Sequence, residues 1–252
     1  MKGIFFWVAA ALTGGIGSGA LAQTGSGVDW SGFYAGGLIG ATNSSSEVSM
    51  LAGTLKYLNT TDANQIARSG TDRLGQSNAS GGLFVGYGKQ FENVFVAVEA
   101  SANSLSFNKE HVTTETYESV PGTQMTRRKA VSADWMAGLR VRLGWAQRNW
   151  LPYVTAGVAA TRLQLNSTFS DNAFSGYSHA STSSWVTGTS LGFGSEYALT
   201  KNWAVRGEYL YTKFDNVSTE SEVTSTNDPG GTLLHKATLD NQSLYFGATY
   251  RF

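Results

Sequence analysis

Three histidines, His111, His179 and His235, fall in three different polar stretches of this 252-residue chain. Folded together, three imidazoles would suit a metal or a haem iron. Long polar connections also acquire histidine through composition alone, and that is the reading adopted. His179 is followed by Ser181, Ser183 and Ser184, which raises acyl transfer, where a carboxylate orients an imidazole and the imidazole activates a hydroxyl. The stretch is so rich in serine that adjacency carries little weight. GFGSEY, residues 192–197, lacks the third glycine and the following helix of a nucleotide loop; its short residues read as packing room. No HExxH or P-loop pattern occurs, and the absence of cysteine removes thiol, disulfide and zinc–thiolate chemistry. The sequence therefore predicts no catalytic residue, no metal site and no cofactor. One set of ionised side chains remains: Glu99, Arg140, Arg142, Glu196, Arg206 and Glu208. Its meaning depends on the elements that carry it.

Those elements alternate with period two, the mark of strands with unlike faces. The last ten residues, SLYFGATYRF, put Leu244, Phe246, Ala248, Tyr250 and Phe252 on one side and Ser243, Tyr245, Gly247, Thr249 and Arg251 on the other. Chain ends fray unless held, so a strand running to the final residue must be paired. Eight such segments are predicted, at 33–41, 79–90, 94–107, 131–146, 151–165, 184–199, 203–217 and 237–252. Short turns join them at one end, where Asn93, Asn149 and Asn202 recur 56 and 53 residues apart and bring a tolerance of left-handed backbone. Long polar loops at 42–78, 108–130, 166–183 and 218–236 join them at the other end. No stretch shows a sustained helical period.

Charged residues make up 14 % of the chain, against roughly 25 % in ordinary soluble domains. Residues 1–22 read as a cleaved signal peptide, with Lys2, an apolar run and Ala20-Leu21-Ala22 before Gln23, leaving 23–252 as one domain. With Lys2 removed, 17 bases face 18 acids, a balance that offers nucleic acid nothing. After Ala22 no apolar run is long enough for a spanning helix. A membrane protein without such helices must be a closed barrel, since an open sheet edge in lipid leaves amides unpaired. An even strand number, with short turns at one end and long loops at the other, is the layout of outer-membrane barrels.

The fourth segment sets the faces. Ala133, Trp135, Ala137, Leu139, Val141, Leu143 and Trp145 share one side; Asp134, Met136, Gly138, Arg140, Arg142 and Gly144 share the other. The tryptophans are ten residues apart; at ~3.3 Å per residue and a tilt of ~40°, that is about 25 Å, the height of an outward apolar band. Trp30, Trp150 and Trp203 fall at the short-turn ends of other segments and Trp185 at a loop end, so an aromatic girdle of Trp30, Trp135, Trp145, Trp150, Trp185 and Trp203 is expected at the two interfaces. The six ionised residues take the opposite parity and are expected to form a lumenal ion-pair network. An eight-stranded barrel is just wide enough for side chains to fill, so the network is read as a plug, with at most a narrow pore. Arg162 shares parity with Val154, Ala156 and Val158; facing outward, it would meet lipopolysaccharide phosphates.

WSGFYAGG (30–37), AGLRVRLGWAQRNWLPYVTAGVA (137–159), GFGSEYALTKNWAVRGEYLYTKF (192–214) and the LYFGATYRF terminus resemble the small outer-membrane β-barrel proteins of α-proteobacteria. That family is labelled porin family or outer membrane immunogenic protein, and it belongs with OmpA-like transmembrane barrels. The resemblance covers nearly all the strands and turns and leaves out the long loops. It implies an all-β, eight-stranded antiparallel transmembrane β-barrel with short periplasmic turns and long extracellular loops, resident in the outer membrane. It also implies assembly by the outer-membrane insertion machinery, which reads a terminal strand ending in Phe; here that maps onto Leu244, Phe246, Tyr250 and Phe252. The expected function is a structural, surface-exposed component of the envelope. The alternatives are a small-solute porin and a surface receptor or adhesin, haem-binding in some relatives, that uses the loops for a host or small-molecule ligand. The expected partners are outer-membrane lipid and lipopolysaccharide.

Overall fold

The structure, a computed structural model, describes residues 27–53, 59–173, 175–225 and 231–252. The expected signal peptide and its cleavage point before Gln23 lie outside the described residues. An extended backbone presents N–H and C=O groups along both edges, so every strand here needs a neighbour on each side. The described residues form β1 (Gly32–Ala52), α1 (Thr60–Ser69), β2 (Thr71–Phe91), β3 (Val94–Thr116), β4 (Gln124–Trp145), β5 (Trp150–Asp171), β6 (Tyr177–Ala198), β7 (Trp203–Phe214), β8 (Val217–Val223), β9 (Gly231–Ala237) and β10 (Asp240–Arg251). Strands β1 to β7 pair in chain order, β7 pairs β10, and β10 returns to β1, all antiparallel. The closing register runs from Tyr34 opposite Arg251 to Ser45 opposite Asp240. That ring is an eight-stranded barrel. β8 and β9 continue β7 and β10 upward after short breaks, and β9 joins the wall by pairing with β1.

The strands are longer than predicted. Most of the expected loop residues at 42–78, 108–130, 166–183 and 218–236 extend the wall as strand. The cause is a reversal of sidedness. On β5, Val154, Ala156 and Val158 face out and Thr155 and Thr161 face in, but higher up Leu163, Leu165 and Phe169 face in while Arg162 and Gln164 face out. Period two persists while the apolar face changes sides. A reading that follows one apolar face loses the strand where the surroundings change from hydrocarbon to water. Arg162 is on the outer surface at this boundary, opposite Trp185 in the register.

Three further expectations are corrected. The helix α1, absent from the sequence reading, starts at Asn59, whose side-chain Oδ1 accepts from the Asp62 N–H at 2.9 Å. Arg68 lies in its last turn and Gly70 follows; Asn before an acidic first turn, with Gly just past the end, was the available signal. In β4 a bulge between Ser132 and Met136 turns both Asp134 and Trp135 outward and Ala133 inward, because one extra residue inverts parity. At the short turns the left-handed positions are Glu92 (φ 52°) and Arg148 (φ 51°), each one residue before the Asn expected to hold them. Asn202 acts through hydrogen bonds instead: its Nδ2 donates to the Arg251 carbonyl and its own carbonyl accepts from the Arg251 N–H, both at 2.8 Å.

Candidate functional site

The outer surface of the wall decides what solvent the barrel lives in. Leu139, Val141 and Leu143 on β4, Val205 on β7, and Leu244 and Phe246 on β10 are all exposed. At one end of this band Trp145, Trp150 and Trp203 point outward; Trp203 meets Tyr250 edge-on at 5.0 Å, and Tyr250 meets Phe252 at 5.1 Å. At the other end the Trp135 and Trp185 rings pack edge to face at 5.5 Å. Large aromatic and aliphatic side chains left half uncovered over a whole belt would aggregate in water; an apolar belt edged by aromatics fits a bilayer.

Trp30 departs from the expected girdle. It is 0 % exposed, tucked into the short-turn mouth with the Arg251 guanidinium 4.7 Å above its ring. Gly32, at φ +118°, makes the turn between the incoming segment and β1, a geometry costly for any other residue. The residues before it cross under the mouth, where the Trp30 backbone N–H donates to Gln90 Oε1 at 3.0 Å. Position at a strand end implied an interface, but this tryptophan precedes its strand and stoppers it.

The last strand is held on both edges, by β1 and β7. Leu244, Phe246, Tyr250 and Phe252 share its outer face, and the Phe252 N–H donates to the Phe33 carbonyl at 3.1 Å. The terminal ring itself is 77 % exposed.

Inside, six ionised residues from β3, β4, β6 and β7 meet at one level. Glu99 is the hub. Its Oε1 accepts from Arg140 Nη2 at 2.7 Å and Arg206 Nη2 at 3.0 Å; its Oε2 accepts from Arg206 Nη1 at 2.7 Å and Arg142 Nη1 at 3.2 Å. Glu208 accepts from Arg140 Nη1 at 2.9 Å and from Arg206, and Glu196 accepts from Arg142 Nη2 at 2.6 Å. All six are at most 2 % exposed. Glu99 is directly opposite Arg140 in the register, and Glu196 opposite Arg206, so strand pairing alone creates two of the contacts. Three carboxylates and three guanidiniums cancel, which burial of ions requires.

Aromatic residues that the sequence reading missed complete this tier. Tyr153 OH donates to Glu208 Oε2 and accepts from Arg206 Nε, both at 2.7 Å, and the Arg142 guanidinium lies 3.8 Å from the Tyr153 ring centre. Tyr34 reaches Glu99 at 3.3 Å from another side. Small residues make room: a Cβ on Gly194 would be 2.5 Å from the Tyr153 oxygen, and one on Gly86 would be 2.4 Å from the Tyr34 oxygen. Glycine on the inward parity, facing an inward tyrosine across the ladder, was the signal.

The three histidines stay apart. His111 Nε2 is 3.6 Å from Asp72, His179 lies on the outer face of β6 beside Thr168, and His235 is buried against Ser221. Ser181 and Ser183 bond to Asn166 and Arg162 rather than to His179. Among the described residues no three acids or histidines come together as a cation site.

A closed ring of antiparallel strands with an apolar belt outside and paired ions inside defines an outer-membrane β-barrel. Comparison with known proteins gives the family. The chain belongs to the outer membrane protein beta-barrel domain family, whose model matches residues 8–252. It is 27 % identical over 171 residues to the 25 kDa outer-membrane immunogenic protein of Brucella abortus, covering 68 % of this chain and 64 % of that one. It is 29 % identical over 133 residues to the 31 kDa outer-membrane immunogenic protein of Brucella melitensis, covering 52 % of each. The chain thus spans about two thirds or less of the curated relatives it matches. Among solved structures it is similar to neisserial surface protein A, at 14 % identity and a TM-score of 0.38, covering 88 % of this chain and 98 % of that one.

Proposed function

We propose that this outer-membrane protein works as a closed wall element that presents its extracellular rim, and that it neither conducts solutes freely nor catalyses a reaction. The observation that carries this reading is the neutral ionic tier. Six buried ionised groups, cross-bonded and packed against Tyr34 and Tyr153, occupy a lumen only as wide as side chains. A small-solute porin would need that tier to part, leaving unpaired charges at a cost of several kcal/mol for each break. Planar-bilayer recording of the refolded barrel is the test. The expected result is a quiet bilayer; discrete openings from pure protein would return the porin reading.

Two roles follow for residues on the outer face. Arg162, beside the Trp185–Trp135 pair at the extracellular boundary, is suited to a lipopolysaccharide phosphate. The outward row Leu244, Phe246, Tyr250 and Phe252 serves as the mark read by the insertion machinery. The Phe252 ring touches Tyr250 edge-on and is otherwise exposed, which leaves it accessible for that task. A receptor role for the rim, for haem or a host ligand, draws no support from the histidines, which point in three directions.

A further inference from the structure

Above the ionic tier an apolar layer including Phe107, Val131 and Leu165 fills the lumen. Above that layer the inward positions turn polar again. Arg127 and Lys129 on β4, Ser167 on β5 and His235 on β9 are each at most 2 % exposed. Asp72 on β2 and Glu115 on β3 close the ring at 21 % and 27 % side-chain exposure. A second apolar layer, including Met50, Met125, Phe169 and Ile66 of α1, roofs it. Lys129 pairs with Asp72 at 2.8 Å, and Arg127 pairs with Glu115 at 2.9 Å.

This ring is unfinished. Arg127 Nε and Nη1, Ser167 Oγ and His235 Nδ1 have no hydrogen-bond partner, although a buried polar group left unpaired is costly. The lower tier sets three glutamates against three arginines. With His235 neutral, the upper ring sets Arg127 and Lys129 against Asp72 and Glu115, with Asp62 buried in the roof, so an anion entering it needs a proton on His235 to offset its charge. The wall beside the ring is not a continuous ladder. β2 and β3 share a backbone ladder only as far as Gly82 opposite Asn103; beyond it, side chains such as Asn78, donating to the Ser106 carbonyl at 2.6 Å, hold the seam, and Asp72 and Glu115, each about a quarter exposed, lie on its two strands.

We propose that the polar ring beneath α1 is a binding site for a small oxyanion, taken up together with a proton on His235. The oxyanion accepts from Arg127 and Ser167, and the added proton offsets its charge. The other groups near His235 are consistent with this. β1 offers Met50, β6 offers Ser178 and β8 offers Ser221, whose hydroxyl meets His235 Nε2 at 2.8 Å; from the roof come Tyr117 and Asp62, and His111 lies on the far side of Asp72. Burial, followed by the Lys129 charge, pulls the imidazole down to about 4. An anion in the ring opposes both effects.

The test uses the refolded protein in detergent with formate, which stays ionised throughout, against chloride at equal ionic strength. Formate is expected to raise the unfolding midpoint saturably, and its apparent affinity should rise as pH falls from 7.5 to 5.5, by up to about ten-fold per unit. Arg127→Gln abolishes the effect, His235→Gln removes its pH dependence, and Arg128→Gln, on the exposed neighbour, leaves both intact. The unaltered chain provides an independent readout, since the His235 imidazole, followed by NMR, should titrate at higher pH in formate than in chloride. Formate and chloride giving the same His235 titration, or Arg127→Gln retaining the stabilisation, overturns the proposal.

Discussion

Replacing Glu99 with Gln tests whether the ionic tier is the keystone of the lumen. Gln keeps the volume and removes one negative charge from a site 0 % exposed. Three guanidiniums lose a partner: Arg140 and Arg206 fall back on Glu208, and Arg142 falls back on Glu196. The tier then holds one uncompensated positive charge in a buried site. Breaking a buried pair from one side costs about 3–5 kcal/mol. With a urea slope of ~2 kcal/mol per molar, the midpoint falls by about 2 M. Removing the nearest charge as well, in Glu99→Gln/Arg206→Gln, restores neutrality and should return at least half of the loss. The assay is urea unfolding of the refolded barrel, read by tryptophan fluorescence and by gel mobility. A Glu99→Gln midpoint within ~0.5 M of the parent would refute the reasoning. So would a double variant that loses the sum of its single losses, since coupled groups depart from additivity.

Three other outcomes are expected. Because burial lowers the His235 value from 6.5 to about 4, the folded state favours the neutral ring. In chloride, the stability this gives is complete above pH 6.5 and declines as pH falls toward 4, by about 3 kcal/mol in total; urea midpoints against pH will show the decline, and His235→Gln will flatten it. Asn59→Ala, which removes the acceptor for the Asp62 N–H, costs about 1 kcal/mol and speeds amide exchange across 60–69 with little change in global unfolding. Deleting the Phe252 ring through Phe252→Ala shifts the refolded barrel by less than ~1 kcal/mol, as expected for an exposed side chain, yet lowers the amount inserted in cells; equal losses in both measurements would reduce the ring to a structural part.

The strand number, the sidedness within the membrane and the six lumenal ions were legible because hydrocarbon outside and ions inside give opposite parities, and tryptophans at the strand ends mark the apolar parity as the outer one. What escaped involved a change of rule along one element. Leu163, Leu165 and Phe169 face inward, so the apolar parity of β5 reverses midway and a single-face criterion sees a loop. The bulge at Asp134–Trp135 moves side chains by one position, and nothing in residue type marks it. Trp30 has the composition of an interface residue but precedes the strand, and the backbone at Gly32 decides its direction. Tyr34 and Tyr153 were hidden because tyrosine suits an interface and a lumen equally; the glycines facing them, Gly86 and Gly194, carry the distinguishing information.

The reversal of sidedness also governs what an antibody or phage would meet. Outside the cell the barrel offers a rigid palisade, with neighbouring contact points such as Thr114, Thr126 and Ser170 supplied by β3, β4 and β5. Epitopes on it are conformational, assembled from positions far apart in the gene, and short linear peptides from these strands will compete poorly. Outward serines and threonines there can be exchanged without loss of the fold while the inward Leu, Phe and Val keep the palisade standing.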